Sequence, residues 1–486
     1  MLNWAKVWHG ATKGGGVNGY QQALARSLVA KRHAVATLSS GTHDTPNNPE
    51  PRLRRHPDWH GIAAFEIVNS PVRAPAIRQF DEPQAEVSSP ELEAVFADFI
   101  ARWQPDVVHA NSLEGLSIGC LDACRAAGAR VAFSLHNYHT ICPQVYLMHA
   151  KREVCLDSQN GHRCATCLDG ATPMQPTAPA VPVSNSDDVR TRLDAPSPDP
   201  RDPLPVDRPS APIVNLPIAD PPSEQPPNAF GRRRHAMIDM LNRCDRVLAV
   251  SRFVADKFAA MGVDRDRLDT QHIGVEIVDR LRAQPLPKQD VNIGPLRLVF
   301  VGFHNRAKGL PVLLDALDSL DTSTLGELHV SIHAKGADAI EYRIRRLESR
   351  LARLTLSFGY EPADLPHLLG AADVGVVPSV WWDNGPQTVM EMLACGLPVI
   401  GSAVGGVPDF IEHERTGLLV EGNNHHQLAA AIARVAGDRE LLAAMRANIT
   451  PPKSMAEHAD EIESLYRGLC TVPNSGAGVD VGGADA

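Results

Sequence analysis

Two doubly wound α/β domains in tandem are predicted by three features of this 486-residue chain. Short apolar runs alternate with segments of helical period, the pattern of parallel strands buried on both faces and joined by crossover helices. The length exceeds what one hydrophobic core usually serves, so two domains are expected. Finally, a proline-bearing polar stretch, AQPLPKQDVNIGP at 283–295, separates two complete strand–helix series. Ligand is then expected in the cleft where the carboxyl ends of the two sheets face each other.

The elements follow in order. AKVWHG, HAVATLSS, AFEIVNS, PDVVHAN, RVAFSLHN and DRVLAVS are the candidate strands of the first half. LRLVFVGF, LHVSIHAKG, LTLSFGYE, ADVGVVPS and LPVIGS are those of the second. Between them, VNGYQQALARSLVAKR and KGLPVLLDALDSL carry apolar residues at spacings of three and four, as amphipathic helices do. The expected organisation is a first domain over 1–285 and a second over 293–450. A helix over 452–470 is expected to return toward the first domain, with a disordered tail over 471–486. Residues 172–228 hold sixteen of the 39 prolines and no sustained periodicity, so they read as a disordered insertion.

Composition narrows the function. A net charge of −10 argues against a general nucleic-acid binder, whose footprint would be basic. No apolar run reaches the length of a membrane span and the start lacks the pattern of a signal peptide, so a cytoplasmic address is expected. Arg52, Arg54, Arg55 and Arg232 to Arg234 would attract the anionic inner face of a membrane if they shared one surface; solvated arginines are the plainer reading.

The segment WWDNGPQTVMEMLACGLPVI, 381–400, carries the most chemistry. Pro386 suits the first position of a helix through QTVMEMLAC, which Gly396 and Pro398 would end. Asp383 then lies just before the helix and Glu391 in its second turn. Free N–H groups of Gly385, Gln387 and Thr388, around Pro386, would face the space between, where an anion is favoured. Asn384 completes the turn. Acceptors for sugar hydroxyls on two sides and donors for phosphate in the middle are what a sugar nucleotide requires. Taken alone, the same residues also fit a helix-start charge and a solvated glutamate. Lys308, after a strand and beside the start of a helix, is placed to neutralise a diphosphate. Gly15 and Gly16, in the glycine run before the first helix, permit close backbone approach to phosphate. His136 ends a strand at the functional edge.

Together these residues resemble glycosyltransferase family 4, whose members are retaining enzymes of the GT-B fold that use nucleotide sugars. The strongest part is the block from Gly359 to Gly417, and SVWWDNGP resembles a subgroup with a Trp-aromatic-acid-Asn-x-Pro turn. The resemblance implies that Asp383 touches the donor hexose, Glu391 the ribose, Lys308 the phosphates, Gly15 and Gly16 the loop above them, and His136 the hexose. It implies a UDP- or GDP-sugar donor, a glycan or lipid-linked acceptor, retention of anomeric configuration and no catalytic divalent metal. The chain departs from the pattern at Phe303, where many members have arginine, and at Asp383, where glutamate is commoner. Two other readings stay open: a sugar-nucleotide epimerase of the same fold, and a sugar-nucleotide binder without turnover.

Cys142, Cys155, Cys164 and Cys167 fall within 26 residues, the last two as Cys-x-x-Cys in a polar loop. This spacing suits a structural zinc site. An iron–sulfur cluster, a redox pair and unliganded thiols remain alternatives.

Overall fold

The computed structural model describes residues 1–150, 153–167, 225–286, 294–304 and 306–471. The insertion expected over 172–228 therefore lies outside the described residues except at its end, as do the expected tail and the centre of the interdomain stretch.

The first sheet contains β1 (Ala36–Ser40), β2 (Arg52–Trp59), β3 (Ile62–Val68), β4 (Val107–Ala110), β5 (Arg130–Leu135), β6 (Arg246–Ala249) and β7 (Leu268–Thr270). Its strand order is β2-β3-β1 on one side and β4-β5-β6-β7 on the other. A single residue, Leu2, bridges β1 and β4 by parallel pairing with Leu38 and Ala110. β5 (RVAFSL) is buried beyond Arg130, and β1 (ATLSS) is buried at all five positions although three of its side chains carry hydroxyls. The polar β2, RLRRHPDW, runs antiparallel on the sheet edge, where one face meets water.

The second sheet holds β8 (Leu296–Phe303), β9 (Leu328–Lys335), β10 (Arg353–Ser357), β11 (Val374–Val377), β12 (Val399–Ser402) and β13 (Gly417–Val420). All pairings are parallel, in the order β10-β9-β8-β11-β12-β13. That order reverses between β8 and β11, and ligands bind outside the strand ends at such a switch point. The two sheets and their helices form the GT-B fold.

The helices that matter below are α1 (Gly15–Ala30), α2 (Pro90–Trp103), α3 (Ala229–Arg243), α4 (Glu276–Ala283), α5 (Leu310–Asp318), α6 (Gln387–Ala394) and α7 (Met455–Thr471). α7 follows the second sheet in sequence but lies on the first. Its Tyr466 hydroxyl meets His109 Nδ1 at 2.5 Å, and His458 Nε2 meets the buried Tyr20 hydroxyl at 2.8 Å.

Two expectations are corrected here. AKVWHG forms no strand: Val7–Thr12 is a 3-10 turn broken at Gly10. The buried Asn18 amide donates to the carbonyls of Lys6, Gly10 and Lys13, groups that a ladder would otherwise use. Arg233 and Arg234 are buried, so they belong to no lipid-facing surface. Arg233 pairs with Glu86 and donates to the His139 carbonyl at 2.8 Å, which ties α3 to the loop after β5. Burial would raise the Glu86 carboxyl, but Arg233 and His139 overcome it and hold the group down at about 2.

Candidate active site

After β8 the chain makes a short 3-10 turn, Arg306–Lys308, and enters α5 through Gly309. Gly309 has φ +72, and a Cβ there would stand 1.7 Å from the Pro378 carbonyl oxygen. Only glycine lets the two switch-point loops touch in this way. Val380 N–H then donates to the Ala307 carbonyl at 2.9 Å, which locks the loop after β11 beside the loop after β8. The consequence is the pair the sequence could not place: Lys308 Nζ meets Asp383 Oδ2 at 2.8 Å and stands 5.5 Å from the centre of the Trp381 ring.

The turn is held from below and behind. Gly406 N–H donates to the Asp383 carbonyl at 2.7 Å. Trp382 is buried against Phe253, and its carbonyl accepts from the Tyr138 hydroxyl at 2.9 Å, so the first domain reaches the turn directly. Asn384 is 1% exposed, and neither polar atom of its side chain has a partner among the described residues. The same holds for Trp381 Nε1. Unpaired buried polar atoms are costly, so this corner calls for a polar partner beyond the described side chains.

α6 starts at Gln387 with Pro386 as its cap residue, one position later than the sequence predicts. Its first N–H groups, from Gln387 and Thr388, have no intrahelical acceptor by construction of a helix. Glu391 is half-buried in the following turn. Loss of hydration drives its carboxyl up to about 7, and the charges of Lys308 and Arg280 oppose but do not cancel that shift. Tyr360, in the loop after β10, is pushed up to about 12 by burial and by Glu391.

The first domain faces this group across the cleft. Gln387 Nε2 donates to the Gly16 carbonyl at 3.2 Å, and a Cβ on Gly16 would come within 2.7 Å of Gln387 Oε1. Gly15 opens α1 with φ +60. His136, just past β5, bonds through Nε2 to Asn111 Oδ1 at 3.2 Å, and its ring lies 4.5 Å from that of Tyr20. Burial lowers its pKa to about 3, so the ring is neutral at physiological pH.

The structure thus brings Lys308, Asp383, Asn384 and Glu391 to one switch point, joins Gln387 to Gly16 across the cleft, and sets His136 on the opposite sheet's carboxyl edge. Sequence reasoning missed Tyr138, Asn111 and Tyr20. Tyr138 lies two residues past His136, which was a usable signal; Asn111 and Tyr20 become neighbours of His136 only through the fold.

The four loop cysteines line one small pocket with His149 and Arg163. Gln144 Nε2 and Ala150 N each lie 3.2 Å from Cys167 Sγ. All four are free thiols, and among the described residues no three His, Cys, Asp or Glu side chains stand close enough to hold a metal ion.

Comparison with known proteins identifies the family and the fold. The profile of the glycosyl transferases group 1 family matches residues 285–450, and that of the glycosyl transferase 4-like domain matches residues 15–274. A D-inositol 3-phosphate glycosyltransferase of Pseudarthrobacter chlorophenolicus is 31% identical over 199 residues, 40% of this chain and 46% of that protein. The amylovoran biosynthesis glycosyltransferase AmsK of Erwinia amylovora is 27% identical over 195 residues, 39% of this chain and 47% of its own. The chain therefore spans about half the length of these curated relatives. The crystal structure of Anabaena Alr3699/HepE in complex with UDP superposes with a TM-score of 0.57 at 15% identity, covering 94% of this chain and 98% of that one, a likeness of fold. With both domains matched by the two profiles, the chain belongs to glycosyltransferase family 4.

Proposed function

We propose that the protein is a retaining glycosyltransferase that moves a sugar from a UDP- or GDP-sugar to a glycan or glycoconjugate acceptor without a divalent metal. The observation that carries this reading is the Lys308–Asp383 pair at the switch point, beside the N-terminus of α6. In the proposed complex the diphosphate takes Lys308 and the N–H groups of Gln387 and Thr388. Charge that builds on the bridging oxygen as the glycosidic bond breaks is stabilised there, which is the largest lever available to such a site. Asp383, released from Lys308, accepts from hexose hydroxyls, and Asn384 supplies the paired donor and acceptor it now leaves idle. Glu391 accepts from the ribose. His136 is neutral and serves as a hydrogen-bonding partner of the hexose, with Gly15 and Gly16 closing over the phosphates. The leaving phosphate itself takes the acceptor proton, since no nucleophile is assigned.

The test is product analysis with UDP- and GDP-sugars in the presence and absence of chelator. An α-linked product from an α-linked donor supports the reading, and inversion overturns it. Epimerised donor without transfer would favour an isomerase.

For the cysteine loop we propose structural zinc, which the four thiols would bind after drawing closer together than they stand in this structure. The support is a set of four thiols around one pocket, with nitrogen groups of Gln144 and Ala150 beside Cys167 that would bond a thiolate. Purified protein should contain about one zinc per chain by elemental analysis, and Cys164→Ser with Cys167→Ser should lose both zinc and thermal stability. Zinc-free protein of unchanged stability in that double variant would refute it.

A further inference from the structure

Tyr146 is 38% exposed, although Cys142 and Gln144 before it and Leu147 and Met148 after it are buried. The backbone on both sides of it is strained. Val145 has φ +75 and Leu147 has φ +52, a left-handed conformation that is uncommon for a residue with a Cβ and an outlier for a β-branched one. Hydrogen bonds hold the strain in place. Val145 N–H donates to the Cys142 carbonyl at 2.8 Å, the Val145 carbonyl accepts from Tyr138 N–H at 3.1 Å, and the Leu147 carbonyl accepts from Cys155 N–H at 2.8 Å. Strain of this kind collects where a side chain is aimed at a ligand.

The aim is the carboxylate turn across the cleft. The ring of Tyr146 lies 5.0 Å from that of Trp381, centre to centre, at a tilt of 60°. Trp381 is buried and carries the Lys308 ammonium 5.5 Å from its own centre. Tyr138 fixes the gap between the two rings, because its N–H holds Val145 while its hydroxyl donates to the Trp382 carbonyl at 2.9 Å. Loss of hydration raises the Tyr146 phenol above its usual range; Lys308 opposes the rise, and Glu114 and Asp383 add to it. Glu114, in the loop after β4, is buried and receives the Ala76 N–H at 2.6 Å. An exposed aromatic face from the first domain thus stands beside the Lys308–Asp383 pair of the second, with a carboxylate from each domain in electrostatic reach.

We propose that Tyr146 is the platform for the sugar ring of the acceptor, a pyranoside that lays one C–H face on the phenol ring and turns its hydroxyl edge toward the charged groups around it. The chemistry selects this class. An aromatic face takes apolar C–H groups, and a phenol keeps a polar end for the rim of the same ligand. The carboxylates and the ammonium nearby need polar partners, which hydroxyls supply. A polyol without a ring has no face to offer. In the proposed complex the donor hexose is met by Asp383 and Asn384, so a ring held by the facing domain belongs to the acceptor. The inference rests on the donor-site reading for the place of the reacting carbon, and on the loop geometry for the platform itself.

The probes are the methyl α- and β-pyranosides of glucose, galactose, mannose and N-acetylglucosamine, with glycerol and ribitol as polyols that have no ring face. Each is titrated against the full chain alone and with UDP or GDP. Saturation-transfer NMR with irradiation of aromatic protons then identifies the probe protons that touch the protein. At least one pyranoside is expected to bind with transfer concentrated on one face of its ring. Tyr146→Ala should weaken that binding about tenfold and erase the face preference, a loss of the size that one aromatic contact provides. Tyr146→Phe and Tyr146→Trp keep an aromatic face and should retain both. Donor affinity, measured by calorimetry with UDP- and GDP-sugars, should be the same in Tyr146→Ala as in the parent. A parent that binds no pyranoside overturns the proposal, as does parental pyranoside binding by Tyr146→Ala or binding of the polyols as tight as that of the pyranosides. Loss of donor affinity with pyranoside binding intact would seat Tyr146 on the donor hexose and refutes it equally. A parent that binds no UDP- or GDP-sugar but holds a pyranoside in a Tyr146-dependent way counts against the donor-site reading alone, and the platform stands.

Discussion

Glu391 sits where desolvation and nearby cations act in opposite directions, and desolvation wins. Its folded-state pKa of about 7 lies above the ordinary 4.5. Below pH 4.5 the folded and unfolded chains both hold the proton, so the group does not affect stability. Between pH 4.5 and about 7 the unfolded chain ionises first and folding is progressively disfavoured; above that the deficit is constant. Glu391→Gln should therefore match the parent in melting temperature at pH 4 and exceed it increasingly up to pH 7. A constant difference across that range would show that the carboxyl is not desolvated. Lys308→Ala is expected to weaken donor binding by about 1.5–3 kcal/mol, roughly ten- to hundredfold, the worth of a hydrogen bond to a charged group. Its pair with Asp383 is partly exposed, so the fold should survive. Calorimetric titration of UDP- and GDP-sugars decides this, and parental affinity would remove Lys308 from the phosphates. At this scale the sequence was legible where chemistry is local. The carboxylates of 383 and 391 and the lysine after a strand were readable from type and spacing. Their meeting was not, because Lys308 and Asp383 are 75 positions apart and only the Gly309–Pro378 approach brings them together.

Among elements, most of the strands buried on both faces were readable as short apolar runs, as in LRLVFVGF and ADVGVVPS. β2, β7 and β13 escaped: β2 is an arginine-rich edge, and the other two are three and four residues long. AKVWHG misled for a physical reason, since its alternation is real but Asn18 captures the carbonyls a strand needs. The contact between α6 and the start of α1 gives a prediction of its own. Gln387 bonds to the Gly16 carbonyl through an exposed side chain, so its contribution to stability is small. A Cβ at Gly16 would collide with the Gln387 amide, a flexible group that can swing away at the cost of that bond. Gly16→Ala is thus expected to keep the unfolding free energy within about 1 kcal/mol of the parent while loosening the cleft. Small-angle scattering of the free protein should show a larger radius of gyration for Gly16→Ala than for the parent. An unchanged radius would mean that other contacts, such as Tyr138 with the Trp382 carbonyl, hold the domains by themselves.

The whole molecule is closed by α7, which leaves the second domain and ends on the first. His458 is fully buried, is held neutral by burial with a pKa of about 3, and bonds to the Tyr20 hydroxyl. Tyr20 in turn packs on His136. One helix therefore connects the end of the second domain to a side chain at the opposite wall of the cleft. His458→Ala leaves a buried phenol hydroxyl without its partner and opens a void, which should cost about 1–3 kcal/mol. Tyr20→Phe removes the hydroxyl but leaves the imidazole with its own unpaired nitrogen, a loss of similar kind. Because each single change strands the other partner, the double variant should cost less than the sum of the two. Urea denaturation of the four proteins measures this coupling. Additive costs would mean that α7 is held by its other contacts, including Tyr466 with His109 and Lys31 with Asp460, and that Tyr20 and His458 are neighbours without mutual dependence. Coupling together with a weakened response of His136 variants to the loss of Tyr20 would instead make α7 part of the cleft wall, set in place by a segment far from it in sequence.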